Sequence, residues 1–195
     1  MPDDYVLGII QKTIASGIDQ RITLPGNGEI IILARRGMYL ADVKDMAEFC
    51  IAPSVGFSIT KYRGSTSLQP PLSWRAINHL LWDAAFHGSQ GRLIQGCTKF
   101  DIIKLNRWPN LTRLAITPNA ARICALLIRN RTTIELIRRI LNIDDTEVYQ
   151  ICSAAHSAGI ANMVLNLNPI SRDIKPEPKV ATGLFRAIFA KISGL

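Results

Sequence analysis

Five arginines fall close together in the chain: Arg122, Arg129, Arg131, Arg138 and Arg139. A guanidinium stays charged and presents a planar fork of donors that matches carboxylate and phosphate geometry, so such a cluster suits an anionic partner. The candidate partners are a protein with an acidic surface and, less well fitted, a nucleic acid backbone. A second set of residues offers a different chemistry. Leu184, Phe185, Ile188, Phe189 and Ile192 recur at helical spacing near the last residue. An apolar stripe of that kind folds back onto its own domain, docks in a partner's groove or lies on a membrane surface. Only Arg186 and Lys191 are charged in that stretch, and interfacial membrane helices are ordinarily more basic.

Residues suited to catalysis or metal binding are present but not arranged for it. Cys152 and His156 stand four apart on one expected helix face and could supply two metal ligands, yet no second pair accompanies them. Cys50, Cys97, Cys124 and Cys152 form no CxxC pair and lie among apolar or small residues, as reduced core thiols do. His79, His87 and His156 fit neither HExxH nor Cys-His zinc spacing. The 15 carboxylates show no pairing for acid–base work. Pro25-Gly26-Asn27-Gly28-Glu29 lacks the third glycine of a dinucleotide fingerprint and precedes its strand instead of following it. Arg35-Arg36 ahead of β-like segments invites a cyclic-dinucleotide reading, but His87-Gly88-Ser89-Gln90-Gly91-Arg92 does not have the order of the Asp/Asn-x-Ser-x-x-Gly turn such receptors carry. The chain is expected to be no enzyme and to hold no cofactor and no metal.

The composition agrees with a folded binding protein. Of 195 residues, 48% are hydrophobic and 19% charged, which is globular and not disordered. The net charge of +8 makes anionic partners worth testing. Apolar runs such as Ile30-Ile31-Ile32-Leu33-Ala34 fall far short of the ~20 residues of a membrane span. Met1-Pro2-Asp3-Asp4 does not resemble the basic start of a secretory signal, and a cytoplasmic location is expected.

The elements that would position these residues follow from periodicity and punctuation. Tyr5, Val6, Ile9, Ile10, Ile14 and Ile18 predict an N-terminal helix. A turn at Pro25-Gly26-Asn27-Gly28 leads into a strand over Glu29 to Ala34, Arg35-Arg36-Gly37 turns again, and Met38 to Val43 returns as a hairpin partner. Asp42 to Cys50 has weak helical character, and Phe57 to Tyr62 alternates as a half-exposed strand. Gly64 to Pro71 reads as a linker. Ser73 is expected to cap a helix with Trp74, Ile77, Leu80, Leu81, Ala84 and Ala85 inward, ending near Gly88. Two short strands are expected around Gly96, the second over Phe100 to Leu105, before a break at Arg107-Trp108-Pro109-Asn110.

The third quarter has the sharpest local signals. Thr117-Pro118 opens a helix with Ala121, Cys124, Ala125 and Ile128 inward and Leu127 beside them. Thr132-Thr133-Ile134-Glu135 reads as a capping box for a second, with Ile134, Ile137, Ile140 and Leu141 inward. Asp144-Asp145-Thr146-Glu147 caps a third, with Val148, Ile151, Cys152 and Ala155 inward and an end at Gly159; Ile160 to Leu165 is a strand. Three short helices and a strand in that order are those of a winged helix-turn-helix. The expected architecture is therefore α+β. A small mixed α/β front unit (1–66) is followed by a helix with short strands (72–115), a winged helix (117–165), a Pro-bearing linker (166–182) and an amphipathic tail helix (183–195).

A winged helix raises DNA binding, which needs Arg, Lys, Asn or Gln at the start of the third helix. That helix instead opens with Asp144, Asp145 and Glu147, and beyond Tyr149 it offers only Gln150 and His156. Carboxylates there face phosphate repulsion. The expectation is an adaptor that binds protein, with a DNA-binding regulator as the alternative.

The run from Thr117 to Val164, with Thr132-Thr133-Ile134-Glu135 and Val148 ahead of Gly159-Ile160, resembles the helical C-terminal part of PatA-type domains of bacterial response regulators. The Glu29 to Tyr62 region, with Arg36-Gly37-Met38 and Glu48-Phe49-Cys50, is loosely similar to their β-rich front part. The resemblance covers about half the chain and assigns no functional residue. It implies a non-catalytic effector in bacterial two-component or motility signalling. No phospho-acceptor receiver domain is visible, so regulatory input would arrive through a partner.

Overall fold

The computed structural model describes residues 5–64, 73–94 and 96–164. The expected linker at 166–182 and the tail stripe of Leu184, Phe185, Ile188, Phe189 and Ile192 lie outside these residues, as does most of the Gly64 to Pro71 linker. The fold is α+β, with six helices and two antiparallel sheets.

The front begins with α1 (Val6–Ser16), which stops where Gly17 adopts φ 64 and returns its N–H to the Ile14 carbonyl. Strands β1 (Gln20–Leu24), β2 (Gly28–Leu33) and β3 (Met38–Val43) form a meander. The short α2 (Met46–Ile51) follows, capped by the Asp45 carboxylate on the Glu48 amide, and β4 (Ser58–Lys61) and β5 (Arg75–Ala76) complete a sheet of order β4-β1-β2-β3-β5. The β2–β3 hairpin and the turn between them agree with the sequence reading. Strand β1 was not foreseen. Of its residues only Ile22 is buried, so neighbours on both sides hold the strand in place while its own apolar pattern is weak. Strand β4 is exposed along its whole length.

Helix α3 (Ile77–Gly88) starts after β5, so Ser73 is not its cap and Trp74 precedes it. It serves two cores. Leu80, Ala84 and Ala85 pack with Ile10, Ile22, Ile30, Ile32, Tyr39 and Phe49 in front, while Trp82 and Phe86 pack with the rear. The inward face anticipated from sequence was only the half that meets the front.

The rear contains β6 (Ile102–Leu105), α4 (Ala120–Arg129), β7 (Thr132–Thr133), α5 (Ile134–Leu141), α6 (Asp145–Ser157) and β8 (Ala161–Val164), with sheet order β7-β6-β8. Gly91 to Leu105 contributes one strand among the described residues, not two. Helix α4 begins later than expected and is turned by one position. Ala120, Ile123, Cys124 and Leu127 face the core, whereas Ala121 and Ala125 are exposed. The larger Ile123 and Leu127 decide the face, because burying each contributes about 1.5–3 kcal/mol and an alanine far less. In α5 the capping hydroxyl belongs to Thr133, which accepts from the Leu136 amide at 3.2 Å; Thr132 lies in β7. Ile134 and Ile137 are buried, but Ile140 is 53% exposed, a correction to its expected inward position. No helix among the described residues is long and apolar enough to cross a membrane.

Candidate interaction surface

The five arginines divide into two groups once their surroundings are known. Arg122 spans two helices: one guanidinium nitrogen donates to Asn119 Oδ1 at 2.9 Å and the other to the Leu141 carbonyl at 3.0 Å. It thereby satisfies a carbonyl at the end of α5 that has no partner within the helix. Arg138 Nη2 meets Glu135 Oε1 at 3.0 Å, and its Nε meets Asp145 Oδ1 at 3.0 Å. Arg139 reaches the same Glu135 oxygen at 3.0 Å. Hydrogen bonds from Arg138, joined by those from Arg139, hold the Glu135 carboxyl below the usual carboxylate range. Arg122 and Arg138 tie α4, α5 and α6 together, and Arg139 is held within α5.

Arg129 and Arg131 differ. Both are exposed, on either side of the α4–β7 connection, and neither has a hydrogen bond or ion pair among the described residues. They are the arginines whose charge is available to another molecule. Lys104 on β6 joins them: with Arg131 it borders a groove that also includes Ile102, Ile128, Asn162 and Val164. The sequence reading did not single out Lys104. Its alternation with Ile102 on the outward side of a predicted strand was the signal that could have marked it.

The acids at the start of α6 also have internal roles. Asp144 caps the helix by accepting from the Thr146 amide at 3.0 Å, and hydrogen bonds from the Thr146 hydroxyl first and then from that amide draw its carboxyl below the ordinary range. Asp145 holds Arg138. Glu147 accepts from the Asn119 amide and side chain at 3.1 Å, securing the entry to α4. Their negative charge is thus spent on building the three-helix unit.

More decisive for what α6 can do is its cover. From Glu147 through Ala158 no residue is exposed. Helix α3 packs along it, with Trp82 and Phe86 in the same core as Ile151, Ala154 and Ala155, while Ser153 Oγ accepts from the Ile94 amide at 3.3 Å on the connection that follows α3. A reading helix must present several adjacent side chains to base edges. At the start of α6 Thr146 is exposed and Asp145 half-exposed, Tyr149, Gln150 and His156 are half-buried, and none of these is an arginine or a lysine.

The thiols are correspondingly inert. Burial pushes Cys124 up to about 12, and Cys50 and Cys152 further, while Cys97 is raised to about 11 by burial and then by Asp101. All four are free thiols that stay protonated at neutral pH, and the thiolate is the reactive form. Cys152 is fully buried beside a half-buried His156, and among the described residues no three His, Cys, Asp or Glu side chains gather where an ion could sit.

Compared with models of protein families, with curated proteins and with solved structures, the chain shows no significant match to any of them.

Proposed function

We propose that this chain is a non-catalytic bacterial regulatory adaptor that acts by protein–protein contact. Its rear unit, α4-β7-α5-α6-β8 in winged-helix order with β6 as the middle strand, presents Arg129 and Arg131 to an acidic partner. The tail stripe from Leu184 to Ile192 serves as a second contact, on a partner or at a membrane surface.

The observation that carries this reading is the packing of α3 over α6. The side of α6 that lies against α3 is closed to a groove, and of the five clustered arginines Arg129 and Arg131, flanking the connection between α4 and β7, are the two without a partner among the described residues. Exposed arginine is a common anchor at protein interfaces.

The test has two arms on the full chain. Selection from random duplex DNA is expected to return no preferred site. Recovery of a site bound about a thousandfold more tightly than random duplex would replace the adaptor with a transcriptional regulator. Quantitative capture from the source cells, wild type against Arg129→Glu, is expected to lose specific proteins with the variant. An identical captured set would remove the arginine face from the account.

A further inference from the structure

We infer that the outer face of the three-stranded sheet is a docking groove for an extended acidic peptide of the partner protein. This rests on the adaptor reading and specifies what the partner presents. The groove has a volume of about 390 Å³ and lies between β6, β8 and the end of α4. Ile103 and Leu105 of β6 point into the core, which leaves Ile102 and Lys104 on the groove side.

The ladder between β6 and β7 stops after two pairs, Ile102 with Thr133 and Ile103 with Thr132. Arg131, just before β7, borders the same groove as Lys104. Like charges bordering one groove repel. Among the described residues neither cation has a counter-ion and no carboxylate lines the groove. An anionic occupant relieves that repulsion, which is the charge complementarity that selects the partner.

The rest of the lining selects its form. The groove also has apolar lining from Ile102, Ile128 and Val164, the last 58% exposed. Asn106 and Asn162, joined at 2.9 Å, put amides at its edge that can meet a peptide backbone. A segment with apolar side chains flanked by carboxylates fits this sequence of charges and surfaces. A nucleic acid fits poorly, because among the described residues no aromatic ring lines the groove for a base to stack on and two cations track few phosphates. The chain's own residues 183–195 carry Arg186 and Lys191 and no carboxylate, so they bring the same sign as the groove.

The test is panning of a phage-displayed random peptide library on the full chain. Recovered peptides are expected to be enriched in Asp or Glu beside apolar residues. Their affinity is expected to fall about tenfold in Lys104→Glu and in Arg131→Glu, with urea midpoints showing that both variants fold; Lys104→Gln serves if a reversal unfolds the chain. Absence of acidic enrichment, or equal binding by both variants, would overturn the proposal. So would displacement of the peptides by duplex DNA, or by a synthetic peptide of residues 183–195, either of which assigns the groove to that occupant. If the groove fails while Arg129→Glu still abolishes protein capture, the adaptor reading stands without it.

Discussion

The indole Nε1 of Trp82 donates to the carbonyl of Ala115 at 2.8 Å, while the neighbouring Asp83 carboxylate accepts from the Ala115 amide at 3.3 Å. Two consecutive residues of α3 thus satisfy both backbone groups of one residue in the segment leading to α4. A buried backbone group without a partner is costly, so this double grip fixes how the rear unit sits on α3.

Trp82→Phe is therefore expected to destabilise the chain by about 1–3 kcal/mol, the cost of leaving the Ala115 carbonyl unmatched, with a further loss from the smaller ring. Urea titration should show a lower midpoint at an unchanged slope. An unchanged midpoint would mean that water replaces the indole freely and that the grip does not matter.

Stability should also fall on mild acidification. Burial lowers the His87 pKa from 6.5, against the raising effect of Asp83 and Asp45. Between 6.5 and that lower value the unfolded chain binds a proton that the folded chain excludes, so stability is lost as pH drops through the window. Urea midpoints at a series of pH values below neutral should decline in the wild type and decline less in His87→Gln. Parallel profiles would exclude His87 as the cause.

Gly28 pairs with both Leu24 and Val43 and sits at φ 143, with the Asp42 carbonyl oxygen where a Cβ would be placed. Gly28→Ala should cost more than about 1 kcal/mol, since the backbone conformation and the clash both oppose a side chain. Thermal unfolding provides the measurement. Gly26→Ala makes the comparison, because no atom lies within 4 Å of its Cβ position and only its φ of 85 is strained. Equal losses in the two variants would show that the approach to Asp42 is harmless.

The two groups of arginines should separate stability from binding. Arg122→Ala removes the partner of the Leu141 carbonyl and should lower stability by about 0.5–1.5 kcal/mol. Arg129→Ala should leave the unfolding midpoint unchanged and weaken partner capture, increasingly so at low salt where surface charge acts furthest. The opposite pattern, with Arg129→Ala less stable and still binding, would assign Arg129 a structural role.

How much of this was legible varied with how local each cause is. The starts of α5 and α6 were readable, that of α5 to within one position, because a cap involves residues two or three apart: Thr133 with Leu136, Asp144 with Thr146. The β2–β3 hairpin was readable because its turn and its isoleucines are contiguous. The face of α4 was placed one position off, since Ala121 and Ala125 satisfy helical spacing as well as Ile123 and Leu127 do, and only the neighbouring β6 and α6 choose between them.

The sequence by itself determined the α+β class, the order of the rear helices, and the presence of clustered arginines near acids. Tertiary structure decided what those charges are for. Arg138 and Asp145 are bound to each other and Glu147 is bound to Asn119, so they are framework, while Arg129 and Arg131 point outward with no partner among the described residues. It also decided that α6 lies beneath α3. That contact joins residues about seventy positions apart, and its strength comes from apolar surface removed from water, which no local pattern in either helix specifies.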